Sequence, residues 1–410
     1  MTDTGKSKPM QPVEADERYQ ILDVLRGAAL LGVLLINLDS GFRGSLFHHI
    51  LNFHTHPGQA NRATDLLLEW IFEFKAMSLF SFLFGVGAGI QSERLIKRGR
   101  NSGFFLFRRF TVLLIIGLGH MLLIWNGDIL TLYAVCGLLM LPFTKLPGKL
   151  LVVTGLAVIA LSPYLPFFYN YFPDAEAMRA QASLATRIYS SGTPAEIMSL
   201  RFNEAVHFIM PLLLATLPRT FGLMLLGTGV WRTGIMQRPQ EWRSLFWGIL
   251  AIAGSLGALT TTLEVWSKET GNPAPGAFDL LYPYSVLFLA FAYAACLLLW
   301  LGPRQTNRLE WPWRLMAAAG RMALSNYLAQ SVVFTTIFYS YGFGLFGRLG
   351  SAAALLLGLT VFAAQLIASE LWLRQFRFGP AEWLWRSMTY GQWQTMKRSR
   401  SVNGQPGDER

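Results

Sequence analysis

Charge is scarce in this 410-residue chain: Asp, Glu, Lys and Arg together make up 14% of it, against about 25% in an ordinary soluble domain. So little charge cannot dress a soluble enzyme of this size, and with 52% hydrophobic residues the chain is no disordered polymer either. Cysteine is scarcer still. Cys136 and Cys296 are the only two and both lie in apolar runs, which excludes a disulfide framework and any thiolate-rich metal site. Strict apolar–polar alternation is missing, which argues against a membrane β-barrel. Also missing is a small-residue cleavage site after the first apolar run, so that run is expected to be retained as a signal-anchor. The one abundant charge is positive, with a net of +11. These basic residues fall mostly between apolar runs rather than on a soluble face, so a nucleic-acid groove is not expected.

Continuous apolar runs are plentiful, and the mean hydropathy is +0.36. A helix needs about 20 mostly apolar residues to cross a bilayer. Ten stretches approach this: 21–38, 66–90, 110–125, 129–143, 150–168, 206–230, 245–263, 280–301, 313–338 and 352–373. The third and fourth are short and flank Asn126-Gly127-Asp128 as a tight hairpin. The second and sixth are long and carry charge, and Pro218 suggests a kink in the sixth. With the N-terminus inside, 24 of the 35 basic residues fall on the cytoplasmic side, 7 outside and 4 within or at the ends of spans, as the positive-inside bias requires. The expectation is an all-α polytopic membrane protein of about ten transmembrane helices with both termini cytoplasmic. Residues 1–20 form an N-terminal tail, 21–373 the helical membrane domain and 374–410 a C-terminal tail, disordered from Gly391 onward. Outside, residues 170–204 read as an amphipathic surface helix.

Ionisable side chains inside spans cost a few kcal/mol each on insertion scales and are functional candidates. Arg26, three residues after Asp23 and so on the same helix face, suits either headgroup contact or an anionic ligand. Lys75, Arg219 and Arg321 are the other basic candidates for substrate binding. Gly85 and Gly89 form a small-xxx-small pattern that suits helix packing. His120 ends the third run and Asp128 follows eight residues later across the turn. Asp128 suits an N-cap, but a carboxylate brought back to an imidazole also orients it as a base, which makes this pair the best catalytic candidate. His48, His49, His54 and His56 share the loop 39–65. Their spacing matches no standard zinc site and no metal is expected, but one of them could serve as the base.

The run Leu22-Asp23-Val24-Leu25-Arg26-Gly27 with the later Asn37, the segment Lys75–Gly89, and Gly119-His120 with Gly127-Asp128-Ile129-Leu130 and Tyr133-Ala134 together resemble the YeiB-like family of bacterial inner-membrane proteins. Gly320–Tyr327 with Gln330-Ser331 matches as well. The C-terminal Phe376-Arg377-Phe378-Gly379-Pro380-Ala381-Glu382-Trp383-Leu384-Trp385-Arg386 is the most specific piece of a signature region at about 220–390. The family is in turn distantly similar to the transmembrane acyltransferase superfamily, which moves acyl groups from cytoplasmic acyl-CoA across a ten-helix core.

That resemblance implies an acyltransferase in the inner membrane, with acyl-CoA as co-substrate and an envelope glycan or lipid as acceptor. His120 would take the acceptor's proton, Asp128 would hold the ring, and Arg26, Arg219 or Arg321 would bind the donor's anionic parts. The superfamily's heparan-modifying enzyme carries its active histidine after the first helix, which implies His48 or His49 instead, so the base stays open between the two regions. Midplane Lys75 and Arg219 equally suit a transporter for a small anionic solute, and a non-catalytic membrane protein is the third reading.

Overall fold

The computed structural model describes residues 19–51, 56–165, 174–272, 276–278, 280–302 and 310–398. His54, most of the expected N-terminal tail and the C-terminal residues beyond 398 lie outside the described residues. The described residues are helical, with a single isolated bridge and no ladder of strands. Helix α1 spans Gln20–Asn37 and runs on through a wider turn to Phe42. A short α2, Leu46–Ile50, precedes α3, Gln59–Ile71, and α4, Lys75–Lys97. Then come α5, Ser102–Gly119, which continues to Ile124, α6, Leu130–Leu139, and α7, Gly148–Leu161. The next set is α8, Ala175–Ser191, α9, Pro194–Glu204, α10, Met210–Arg232, and α11, Arg243–Thr270. The last five are α12, Ser285–Leu301, α13, Trp311–Arg321, α14, Ala323–Phe338, α15, Ser351–Gln375, and α16, Pro380–Tyr390.

Seven stretches among the described residues are long and apolar enough to cross a bilayer: Gln20–Phe42, Gln59–Lys97, Ser102–Ile124, Pro194–Arg232, Arg243–Thr270, Tyr282–Leu301 and Ser351–Gln375. The other three expected runs fall on shorter helices. They are α6, α7 with its following turn, and the α13–α14 pair, which breaks at Met322. The chain is thus an all-α polytopic membrane protein. The irregularity of the second run sits between α3 and α4, where Phe74 adopts φ +54°, a left-handed conformation that costs a bulky residue about 1–2 kcal/mol. In the sixth run the helix is continuous through Pro218, and the irregular turn lies earlier, at Ala205–Ile209.

Close helix approach explains several glycines. A Cβ at Gly85 of α4 would land on the Met224 backbone of α10, and one at Gly320 of α13 on the Asp23 carbonyl of α1. Without side chains there, van der Waals packing between backbones replaces the hydrophobic drive that lipid cannot supply.

The region expected as a surface helix is two helices, α8 and α9. The second starts on a capping box in which Thr193 and Glu196 satisfy each other's backbone. The C-terminal segment departs furthest from expectation. Helix α16 packs on α5, where the Trp385 indole donates to the Arg109 carbonyl at 2.9 Å and the Arg109 guanidinium stacks 3.5 Å above the same ring. Residues 391–398, expected to be disordered, return along α15's end: the Arg377 amide donates to the Met396 carbonyl and the Arg398 amide to the Gln375 carbonyl. Stacking of Trp393 on Trp383 holds this return in place. Glu382 of α16 accepts from the amides of Leu324 and Ser325 at 2.7 and 3.1 Å, capping the N-terminus of α14 with a carboxylate.

Candidate active site

The α5–α6 hairpin brings the expected pair together. His120 Nδ1 lies 2.8 Å from Asp128 Oδ1. The other Asp128 oxygen accepts from the Thr131 amide at 2.7 Å. The capping role and the orienting role are therefore both present, one on each oxygen. With Asp128 as a carboxylate, whose oxygens only accept, this contact sets the imidazole proton on Nδ1 and the lone pair of Nε2 on the far side. There, at 2.8 Å, stands the hydroxyl of Ser331 on α14. Ser331 belongs to the Gln330-Ser331 motif, but nothing in the sequence connects it with a histidine 211 residues away; only packing of α14 against the end of α5 does so. His120, Asp128 and Ser331 are 2%, 1% and 1% exposed, so all three are withdrawn from solvent and lipid.

Two cavities flank this cluster. The first, of about 470 Å³, opens at the hairpin end and includes Trp125, Asp128, Asp39, His48, His49 and Glu73 in its wall. The second, of about 320 Å³, lies toward the opposite end. Val33 and Ile129 line both. The His120 ring lies between two aromatic side chains, one from each wall: Trp125 at 6.4 Å and Tyr327 at 5.1 Å between ring centres. Tyr327 closes the second cavity on this side, with its hydroxyl 3.3 Å from the Gly127 carbonyl and 3.4 Å from the Ile129 amide.

The second cavity carries an excess of positive charge. Among the described residues, seven arginines line it, Arg26, Arg94, Arg98, Arg109, Arg321, Arg377 and Arg386, with Asp23 and Glu382 as the only carboxyl side chains. Asp23 is engaged by Arg26 at 2.7 Å, and Glu382 by the start of α14. The Arg321 Nε is buried without a hydrogen-bond partner. Guanidinium groups gathered so densely suit a ligand with several anionic oxygens, which they hold in paired, planar contacts. Of the basic candidates, the structure brings Arg26 and Arg321 together here. Lys75 instead donates to the Glu69 carbonyl at 2.6 Å, and the Arg219 guanidinium lies 6.0 Å from the Phe74 ring; neither is among the residues lining the two cavities.

The loop histidines have a different setting. His49 is within 3.5 Å of Asp39 and 3.3 Å of Glu73. Burial works against a charge on this ring, but the two carboxylates outweigh it and push its pKa up to about 10. At neutral pH His49 is thus a cation locked in an ion-pair network with Asp39, Arg43 and Glu73 and has no lone pair to offer as a base. Nearby, Glu69, Glu73 and Glu264 converge closely enough to hold a metal ion. The Lys268 ammonium lies among them, 2.5 Å from Glu69, 3.2 Å from Glu264 and 3.9 Å from Glu73, and takes the place a cation would occupy.

Fold and site together define a polytopic helical membrane protein with a buried imidazole–carboxylate pair set between two cavities. The family model described as a protein of unknown function, DUF418, matches residues 230–392. The chain is 33% identical to the uncharacterized protein YxaH of Bacillus subtilis over 416 residues, covering 96% of this chain and 99% of that protein. It is 30% identical to the uncharacterized protein YeiB of Escherichia coli over 91% of this chain and 96% of that protein. An uncharacterized 39.9 kDa protein in the amylase 3′ region of Bacillus acidopullulyticus is 31% identical over 93% and 96%. The chain belongs to the YeiB-like family.

Proposed function

We propose that the protein is an acyltransferase of the bacterial inner membrane, with both termini in the cytoplasm, that moves an acyl group from cytoplasmic acyl-CoA to a hydroxyl or amine of an envelope glycan or lipid. The observation that carries this reading is the position of His120 and Asp128 in the wall between the arginine cavity and the hairpin cavity. Five of the seven cavity arginines, Arg94, Arg98, Arg109, Arg377 and Arg386, belong to the basic set that orients the chain, so the positive-inside bias turns this cavity toward the cytoplasm, where CoA thioesters are found. A diphosphate-bearing donor fits the arginines, and its long, thin pantetheine arm is the part that would extend from there toward the imidazole. Asp128 holds the ring and supports the imidazolium while His120 receives the proton released as the new ester or amide bond forms and the thioester C–S bond breaks. Arg26 and Arg321 are part of the donor site in this scheme; Lys75 and Arg219 are left outside it.

The test is thiol release from acetyl-CoA, and from a longer acyl-CoA, by the full-length protein in nanodiscs, with and without envelope extract as acceptor. The reading requires release by the wild type and its loss in His120→Ala. Solute flux in sealed liposomes without any thiol release would replace it by the transporter reading.

A further inference from the structure

His120 has a partner on each nitrogen, and this limits what it can deprotonate. With Nδ1–H committed to Asp128, its lone pair at Nε2 is aimed at the Ser331 hydroxyl at 2.8 Å. A base acting directly on a bound acceptor needs that lone pair facing a cavity. In this geometry the hydroxyl it meets is Ser331's, whose competing acceptor, the Tyr327 carbonyl, lies farther away at 3.3 Å. The order carboxylate, imidazole, hydroxyl is the arrangement that turns an ordinary serine into a nucleophile on unrelated folds.

We propose that Ser331 is a covalent acyl carrier: the acyl group passes from the thioester to the Ser331 oxygen and from there to the acceptor. This rests on the acyl-transfer reading above and adds a second chemical step to it. In the first step His120 Nε2 takes the Ser331 proton, Oγ bonds to the thioester carbonyl carbon, the C–S bond breaks, and the imidazolium returns the proton to the departing thiolate. In the second, Nε2 takes a proton from the acceptor hydroxyl or amine, which attacks the serine ester. The C–Oγ bond breaks and the proton goes back to Oγ. The free thiol and the acylated acceptor are the only products, and no oxidant or further reactant is needed.

The placement of Ser331 suits a relay. It stands one helical turn after Tyr327, which lines the arginine cavity, and Asp128 across the imidazole lines the hairpin cavity. A donor and an acceptor held on opposite sides of a membrane need not meet at once if the acyl group rests in the wall between them. Ser331 is itself closed off, so the donor's route must open on the Tyr327 side. The hydrogen bonds holding the Tyr327 hydroxyl, at 3.3 and 3.4 Å, are longer than those within the triad.

The test uses full-length protein in nanodiscs and radiolabelled acetyl-CoA without acceptor. After denaturation, label is expected on the peptide that contains Ser331, at up to one acyl group per chain, together with a matching burst of free thiol. Ser331→Ala should lose the label and at least about 10³-fold in thiol release while keeping wild-type elution and thermal midpoint. Ser331→Cys should regain the label as a thioester, cleaved by neutral hydroxylamine. Full transfer by folded Ser331→Ala, or thiol release by the wild type with no acyl group on Ser331, overturns the carrier role and leaves the acyltransferase standing. No thiol release from the wild type under any condition removes both.

Discussion

Asp128→Asn separates chemistry from stability because the two carboxylate oxygens have different partners, Nδ1 of His120 and the amide of Thr131. An amide side chain can serve only one of them with its oxygen. If the oxygen keeps the Thr131 amide, the NH₂ group faces Nδ1, which must then become the acceptor. The ring proton moves to Nε2, and the imidazole can no longer take a proton on that side. If the amide turns over, the tautomer is kept but NH₂ meets the Thr131 N–H. Leaving such buried donors unsatisfied costs about 1–3 kcal/mol, so this productive arrangement is populated at no more than roughly one part in 5 to one part in 150. Loss of the charge that supports the imidazolium adds to this, for a combined fall in acyl transfer of about 10³–10⁴-fold. Stability should change by less than about 1 kcal/mol, since the preferred arrangement keeps the cap. Asp128→Ala removes both contacts and should be as inactive, and less stable than the Asn variant by about 1–3 kcal/mol. Thiol release from acetyl-CoA in nanodiscs, paired with thermal unfolding followed by tryptophan fluorescence, reads both effects. Asp128→Asn activity within tenfold of wild type would refute the orienting role.

Three further outcomes are expected. Arg109→Gln and Arg386→Gln should each raise the donor KM about tenfold or more, as loss of a charge-assisted contact implies, with kcat little changed; steady-state kinetics at two salt concentrations checks this. His49 has its pKa raised from 6.5 to about 10 in the folded protein, so its stabilising effect is full below pH 6.5 and declines as pH rises toward 10. The stability difference between wild type and His49→Gln should therefore shrink from pH 6 to pH 10, and a constant difference in denaturation midpoints would contradict the ion-pair network. Gly320→Val should destabilise by about 3 kcal/mol, the upper end for overpacking, because its Cβ falls on backbone rather than on a side chain able to move; thermal midpoints of detergent-solubilised protein decide it.

The apolar runs were legible because length and hydrophobicity are enough to make a membrane helix, and His120 and Asp128 were legible because a short hairpin leaves residues eight apart little choice but to meet. Ser331 was not, since its contact with His120 depends on how α14 packs, which no local pattern encodes. The arginine cavity was hidden for another reason. Arg94, Arg98, Arg109, Arg377 and Arg386 lie outside the spans or at their edges, where basic residues serve orientation, and only the docking of α16 on α5 gathers them with Arg26 and Arg321. The same docking explains the ordered stretch 391–398: its polar composition suggested disorder, but Trp393 supplies one large apolar face that finds Trp383. Lys75 and Arg219 stand out in the sequence because charge within an apolar run is costly. Lys75 meets that cost with a backbone carbonyl and Arg219 lies near an aromatic face.

Two cavities that approach each other from opposite ends leave little material between them. Val33 and Ile129 belong to both walls, so in the reading proposed above the partition between the two cavities includes a pair of aliphatic side chains. Trimming both to alanine would let water reach through from either side and make a proton leak, visible as faster decay of a pH gradient in proteoliposomes. In that reading the bulk of those two positions matters for holding a pH gradient, quite apart from any chemistry performed next to them.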